Sequence, residues 1–145
     1  MDTIRFLMFR RNFDRILKDI KKKEMSYMSE YGLRAVHMGC LLRIKQSGKG
    51  MTATELAKDS QTDKALISRV IKELANDGFV TTNASGYNKR YYLTEKSEEI
   101  VSNIARDVGQ YMEEARRGIP EEDMLKFYEV LANLATNISL IVKDE

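Results

Sequence analysis

The sequence has few of the residues that build covalent or metal-centred sites. Its 145 residues include one cysteine, one histidine and one proline. A single cysteine excludes an intrachain disulfide, and one cysteine with one histidine argues against a zinc site made of these ligands. Because proline breaks helix interiors, the scarcity of this residue agrees with a mostly helical chain.

Signals for catalysis and for membrane insertion are also missing. The chain contains no G-x-S-x-G, no Walker loop and no G-x-G-x-x-G, and nothing beside His37 in the sequence would orient it as a general base. No apolar run approaches the roughly 20 residues that span a bilayer, and no signal peptide is recognisable. We therefore expect a cytoplasmic protein that is not an enzyme, with no catalytic residue, cofactor, metal or membrane partner.

Charge is abundant and nearly balanced, with 24 lysines and arginines against 22 acids. Its distribution is uneven: residues 1–24 hold eight cations and four anions, whereas residues 113–145 hold eight anions and four cations. Opposite charge at the two ends indicates that the ends lie together.

The most informative stretch runs from Met51 to Thr94. Thr52 followed by Glu55 forms a capping box, which predicts a short helix from about Ala53 to Asp59. A polar break at residues 60–62 precedes a second helix over about residues 63–77, in which Thr62 or Asp63 can supply the cap. Two helices joined by so short a turn indicate a helix-turn-helix.

The second helix has two distinct faces. Apolar residues at helical period predict a core-facing stripe, formed by Leu66, Ile67, Val70, Ile71 and Leu74. The opposite face carries cations, a hydroxyl and a small residue but no acid, namely Lys64, Ala65, Ser68, Arg69 and Lys72. Such a face can enter a DNA major groove.

A β-hairpin is predicted after this helix. The runs at residues 79–82 and 90–93 are rich in β-branched and aromatic side chains, and the turn-rich loop at residues 83–89 separates them. A hairpin placed after a helix-turn-helix is a wing.

These motifs, in this order, resemble the MarR family of bacterial and archaeal transcription regulators. The matching segments are TELA, then ISRVIKELANDGFV, then a hairpin ending in YYLTEKS. The resemblance extends to YGLRAVHMGCLLRI before them and GIPEEDMLKFYEVLANLATNI after them, so it covers nearly the whole chain. There is one departure: family wings usually carry Asp-x-Arg before the second strand, where this chain has a shorter loop at Ser85 to Tyr87.

The predicted DNA contacts come from the residue pattern of this stretch and from the family resemblance. Arg69 is the side chain best able to bind guanine through two hydrogen bonds; its alternative role is to contact the DNA backbone and so position the helix. Lys64, Ala65 and Ser68 share its face. Phosphate contacts are expected from the remaining polar residues, namely Thr52, Thr54, Thr62 and Lys72, with Lys89 and Arg90 acting from the wing. The alternative roles are helix caps for the threonines and solvated charges for the lysines.

The chain ends are predicted to form a dimerisation bundle. A first helix spans about residues 3–23, a connector residues 26–30 with Ser29 as a cap, and a further helix residues 30–46. A long helix capped by Thr94 ends at Gly118, and Pro120 begins the last helix. Apolar residues spaced 3, 4, 3, 4, 3 along that last helix form a narrow seam: Met124, Phe127, Leu131, Leu134, Ile138 and Ile141.

The predicted fold is therefore mostly α with a small β-hairpin wing. Residues 30–94 form the winged helix-turn-helix domain, and residues 1–29 with 95–145 form one helical dimerisation region.

Cys40 and four candidate effector-binding residues have alternative interpretations. Cys40 is interpreted as a small buried hydrophobe; the alternative, a peroxide-sensing thiolate, lacks support because the sensing branch of the resembled family carries its cysteine near the amino terminus. Family effectors commonly bind between the dimerisation helices and the winged helix, which implies that a small molecule could contact Tyr31, Arg34, His37 and Tyr111. The alternative for these residues is an ordinary structural role.

The predicted function is a DNA-binding transcriptional regulator. A homodimer would place two recognition helices in successive major grooves, so the operator should be a pseudo-palindrome with half-sites about 34–36 Å apart. Repression is the commoner behaviour in the resembled family, and a small-molecule effector could release the DNA. The alternative is a winged-helix protein-interaction module without sequence-specific DNA binding, which the six cations against five anions of residues 51–94 favour.

Overall fold

The computed structural model describes residues 2–83, 85–86 and 89–143, and this part of the chain is mostly helical. Positions 84, 87 and 88 of the predicted wing loop lie outside the described residues. The prediction of a mostly α protein with a small wing is confirmed. In chain order the elements are α1 (Thr3–Ser29), α2 (Ala35–Ser47), β1 (Met51–Thr52), α3 (Ala53–Ser60), α4 (Lys64–Asn76), β2 (Val80–Thr81), β3 (Arg90–Leu93), α5 (Glu95–Ala115) and α6 (Glu121–Lys143).

The first two helices differ from the prediction at their junction. Helix α1 continues to Ser29, because the hydroxyls of Ser26 and Ser29 bond back to carbonyls three residues earlier and Met28 is buried. The predicted connector at residues 26–30 and the cap at Ser29 are therefore wrong. The chain turns at Gly32, whose φ is 65°, and α2 starts only at Ala35.

The core of the winged helix lies between α2, α3 and α4. Leu56, Val70 and Leu74 are fully buried, and Ile67 and Ile71 are 1% exposed. Four of the five residues predicted for the α4 stripe are therefore core residues, whereas Leu66 is only partly buried. Apolar burial at helical period thus orients α4.

The wing belongs to a three-stranded antiparallel sheet in the order β1-β3-β2. Strand β3 pairs with both others, with Thr52 opposite Arg90 and Thr81 opposite Tyr92. Strand β1 has only two residues, too few to give the alternation by which strands are detected in sequence. By pairing with β3, this strand connects the start of α3 to the base of the hairpin.

The end of α4 is held by the first turn of α5. Lys96 Nζ donates to the Asp77 carbonyl at 3.0 Å, and Thr94 Oγ1 donates to the Gly78 carbonyl at 2.6 Å. Thr94 also accepts from the backbone N–H of Ser97 at 3.2 Å, so the predicted cap of α5 is present. The long helix α5 therefore fixes the carboxyl end of α4.

By contacts within the single chain, residues 1–105 and 106–145 form two compact units. Helix α1 belongs to the first unit, and the predicted union of residues 1–29 with 95–145 stays a prediction.

None of the residues of helix α6 is buried in the described part of the chain. Most of its apolar side chains are exposed, from 38% at Leu134 to 65% at Ile141, and Met124 and Leu131 are partly buried. By length and composition α6 could cross a membrane, but a single helix of this kind is weak evidence for a span.

Candidate nucleic-acid interface

The face of α4 opposite the core is open to solvent. Lys64, Ala65, Arg69 and Lys72 are exposed and Ser68 is partly buried. This arrangement follows from the core on the other side, because residues three and four apart share one face of a helix. All five residues predicted for the outward face therefore lie outside the core.

Several predicted contact residues line one open groove of about 390 Å³. The start of α3, the outer face of α4 and the wing each contribute to it. Six predicted residues lie along it: Thr52, Thr54, Lys64, Ser68, Lys72 and Lys89. The prediction did not include the other four residues that line it: Ala53, Ile71, Gly86 and Tyr91.

The remaining predicted residues lie outside this groove. Ala65 and Arg69 are exposed on α4 itself. Thr62 lies in the turn before α4, where its hydroxyl donates to the Ser60 carbonyl at 3.2 Å. Neither Thr62 nor Asp63 caps α4 through its side chain. The Thr62 hydroxyl donates to the preceding Ser60 carbonyl, and the Asp63 side chain makes no capping hydrogen bond. Asp63, one of the two predicted caps, is the N-cap residue of α4 by position, but without a side-chain bond.

Thr52 and Arg90 both act on Glu55. The Thr52 hydroxyl accepts from the Glu55 N–H, and the Glu55 carboxylate accepts from the Thr52 N–H, each at 3.1 Å, which is the predicted capping box. Arg90 Nη2 and Nη1 donate to Glu55 Oε1 and Oε2 at 2.9 and 3.1 Å. The hydrogen bonds from Arg90 and then Thr52 lower the pKa of Glu55 below its ordinary value. Contact between Arg90 and DNA stays a prediction.

Glu73, on the flank of α4, is held by two residues of the α2 start. Its Oε2 lies 2.7 Å from both His37 Nε2 and Arg34 Nη2. The hydrogen bond from His37, followed by the bond and charge of Arg34, lowers the pKa of Glu73. Glu73 is therefore an anion with two internal donors.

These pairings leave the outer face of α4 electropositive. Glu55 and Glu73, two acids near this face, already have arginine partners. Within the described ranges, neither Arg69 nor Lys72 forms an ion pair. Unpaired cations beside internally satisfied carboxylates attract an external anion such as a phosphate backbone.

The residues predicted for an effector are divided between the two units. His37 is buried, Tyr31 half-buried and Arg34 exposed, and the first of these already bonds to Glu73. Tyr111 belongs to residues 106–145. The four-residue effector site stays a prediction.

Cys40 lies in the core, as predicted, at 3% exposure. Burial raises the pKa of its thiol to about 11, so the reactive thiolate is scarce at neutral pH. Among the described residues no group of three or more His, Cys, Asp and Glu side chains could hold a metal ion.

Two contributors to this interface, Glu55 and Glu73, were absent from the sequence-based site. The capping box identifies Glu55 as a helix-start residue but does not reveal Arg90, which is 35 residues away. Nothing local marks Glu73, whose partners His37 and Arg34 are 36 and 39 residues away.

The fold and this face define a winged helix-turn-helix protein. Residues 33–91 match the sequence model of the MarR family, the family that the sequence resembles. MarR family proteins are transcriptional regulators, and the match supports a DNA-binding regulator. A comparison with curated protein sequences gives no match.

Solved structures of similar fold cover nearly the whole chain. The transcriptional regulator SlyA is 22% identical over 90% of this chain and 94% of its own, with a TM-score of 0.78. MarR family transcription regulator SP03579 is 18% identical over 99% and 96%, with a TM-score of 0.81. A MarR transcriptional regulator from Methanosarcina mazei Go1 is 16% identical over 97% and 94%, with a TM-score of 0.77. At these identities the likeness establishes the shared fold.

Proposed function

We propose that the protein is a cytoplasmic transcriptional regulator that binds double-stranded DNA as a homodimer. The observation that carries this proposal is the outer face of α4, where Arg69 and Lys72 lack acidic partners in the described part of the chain, beside a groove shared by α3, α4 and the wing. A face of this size, shape and charge fits a major groove and its flanking phosphates.

Contacts divide into two kinds. Arg69 is the candidate reader of a base edge, because a guanidinium can donate twice to guanine, and Lys64, Ala65 and Ser68 adjoin it on α4. Thr52, Thr54, Thr62 and Lys72 supply phosphate contacts that fix the register of the helix. Lys89 extends these contacts from the wing.

A second copy of the chain is the proposed cover for the exposed apolar residues of α1 and α6. Phe127 and Ile138 are 46% and 47% exposed on α6, and Leu7 and Leu17 are 59% and 62% exposed on α1. Burying such faces between chains is favourable by roughly 25 cal/mol per Å². A symmetric dimer then presents two copies of α4 to half-sites about 34–36 Å apart.

Regulation by a small molecule would follow from a change in the distance between the two recognition helices. A dimer that fits two grooves in one state misfits them in another, so an effector that prefers the second state releases DNA. Repression of transcription, relieved by such a ligand, is the mode proposed here. A screen in which no small molecule shifts DNA affinity would contradict this part of the proposal.

The test of DNA binding is selection of bound duplexes from a random library at two salt concentrations. The expected result is a pseudo-palindrome whose affinity falls steeply with salt. Arg69→Ala should lose the enriched sequence, whereas Lys126→Ala, a change of equal charge on the exposed surface of α6, should retain it. Failure of the folded wild-type dimer to enrich any sequence would overturn the proposal and favour a protein-interaction module.

The test of dimerisation is sedimentation equilibrium. Ile138→Lys places a charge within the apolar seam of α6 and should shift the protein toward monomer. Asn137→Lys adds the same charge at the neighbouring exposed position and should leave the dimer intact. A wild-type monomer at micromolar concentration would contradict the proposed assembly.

A further inference from the structure

His37 is buried at the start of α2, and both ring nitrogens are in use. Its side chain is 9% exposed. The backbone N–H of Arg34 donates to His37 Nδ1 at 3.0 Å, so that nitrogen is the acceptor. The proton of the neutral ring is therefore on Nε2, which donates to Glu73 Oε2 at 2.7 Å. The backbone of α2 thus sets both the tautomer and the orientation of the ring.

Glu73 lies close to the DNA-facing side of α4. It follows Arg69 by one helical turn and adjoins Lys72, the two exposed cations of that face. Its oxygen also accepts from Arg34 Nη2 at 2.7 Å, and its side chain is 39% exposed. The bond from His37 therefore joins a buried ring, bonded at both nitrogens, to the edge of the face that would meet DNA.

Apolar burial turns the face of Val70 and Leu74 inward and so sets the coarse orientation of α4. Contacts of this kind are non-directional, so they leave the fine rotation of the helix less well determined. Its start lacks a side-chain cap from Asp63, and the bonds from Thr94 and Lys96 hold the carbonyls of Gly78 and Asp77, which follow its last residue. A short hydrogen bond to a fixed ring adds direction at mid-helix.

We propose that His37 is a positioning residue for the recognition helix. Through Glu73 it sets the rotation of α4 about its axis, so that Arg69 points at the base edges rather than at the phosphates. This inference rests on the proposed function, since it concerns how the same helix reads DNA. Its consequence is that His37 controls discrimination between sequences more than it controls attraction to the DNA backbone.

The test compares the specific and non-specific DNA affinity of three variants. His37→Leu keeps a buried apolar side chain but removes both hydrogen bonds, and should lower the ratio of specific to non-specific affinity by about tenfold. Non-specific affinity should remain within about twofold, because the phosphate-binding cations are unchanged. Met38→Leu, a volume-conserving change at the next buried position, is the control and should leave the ratio unchanged.

Rescue by a conservative variant separates positioning from a purely structural role. In His37→Gln the amide oxygen can accept from the Arg34 N–H while the amide N–H donates to Glu73, so most of the discrimination should return. If His37 only stabilised the fold, the ratio of specific to non-specific DNA affinity would be the same for every variant of this residue that folds. Equal ratios for the Leu variant and the wild type would overturn the proposal.

A measurement without DNA distinguishes failure of this inference from failure of the proposed function. Amide hydrogen exchange of α4 in the free protein should be faster in His37→Leu than in the wild type, and restored in His37→Gln. If His37→Leu does not fold, Glu73→Leu serves instead, because this position is half-exposed and the cap of α2 is kept. Unchanged exchange in the folded variant would refute the positioning role, whether or not the wild type discriminates between DNA sequences.

Discussion

Arg90 of β3 grips Glu55 of α3 at two points, with Nη2 2.9 Å from Oε1 and Nη1 3.1 Å from Oε2. The same Nη1 donates to the Gly50 carbonyl at 2.9 Å. One side chain therefore ties the base of the wing to the loop before β1 and to the capped start of α3. Planar two-point contact with a carboxylate is the geometry that arginine provides and lysine does not.

Arg90→Ala should therefore destabilise the domain, with a melting temperature lower by a few degrees. Because the guanidinium is bound to Glu55 and Gly50, we expect the slope of log affinity against log salt to be unchanged, against the phosphate contact predicted from the sequence. Lys89→Ala should do the reverse, with a stable fold and a slope reduced by about 1, because a phosphate contact is lost. A reduced slope for the Arg90 variant would instead identify Arg90 as a phosphate contact.

Arg69→Ala should weaken specific binding by about 1–3 kcal/mol and relax preference at one base pair of each half-site. The matched comparison is Lys72→Ala, which removes a phosphate contact and should weaken binding to all sequences alike. Titration of operator variants against both proteins measures the difference. If the two variants lose affinity uniformly across sequences, Arg69 positions the helix on the backbone and does not read a base.

The parts of the fold that sequence alone predicted are those set by neighbouring residues. The capping box of Thr52 and Glu55, the apolar period of α4 and the cap at Thr94 all involve residues a few positions apart. Such signals depend on helix geometry, which is the same in every protein. They were enough to identify the helix-turn-helix and to orient its outer face.

The parts that sequence did not predict depend on contacts between distant residues. Nothing near Glu73 in the chain indicates that His37 would become its partner, and nothing near Arg90 indicates Glu55. The short strand β1 exists because β3 supplies its hydrogen-bonding partners. Likewise, α1 continues into the predicted connector because Met28 is buried, which is a tertiary effect.

Acid should destabilise the protein partly through Glu73. The N–H of His37 and then the guanidinium of Arg34 hold the pKa of Glu73 below its ordinary value of 4.5. The stabilisation is therefore complete above that ordinary value and is lost as pH falls through the lowered one, because the unfolded chain binds the proton first. Melting temperatures from about pH 6 to about pH 3 should fall less steeply for Glu73→Gln than for the wild type.

The matched control for this pH dependence is Glu99→Gln, at an exposed position of α5. It removes the same charge but no partnered carboxylate, so its melting temperatures should follow the wild-type slope. Identical slopes for the wild type and Glu73→Gln would mean that the contacts of Glu73 contribute no pH-dependent stability.

Cys40 should be unreactive in the folded protein. The thiol is 3% exposed, and burial raises its pKa to about 11, so both access and the thiolate fraction are low. A chromogenic disulfide reagent should label it only after denaturation. Rapid labelling of the native protein would show that α2 opens locally, and would restore a redox role as a serious interpretation.

Gly50→Ala should be among the most damaging small substitutions in the chain. A Cβ there would lie 2.7 Å from the Tyr91 carbonyl oxygen and 2.7 Å from Tyr92 Cε1, and φ is 72°. Gly48 is the matched control, because its φ is 66° but a Cβ would have no neighbour within 4 Å. Both variants bear the cost of a left-handed alanine, about 1–2 kcal/mol, so their difference isolates the overlap with β3.

Urea denaturation of the two glycine variants measures that difference. Overpacking against a backbone oxygen that cannot easily move should add about 1–3 kcal/mol of destabilisation for Gly50→Ala over Gly48→Ala. DNA affinity should fall with it, because separating β1 from β3 would release both the start of α3 and the wing that carries Lys89. Equal unfolding free energies would show that the loop shifts to admit the methyl group, and that β1 is not a fixed attachment between α3 and the wing.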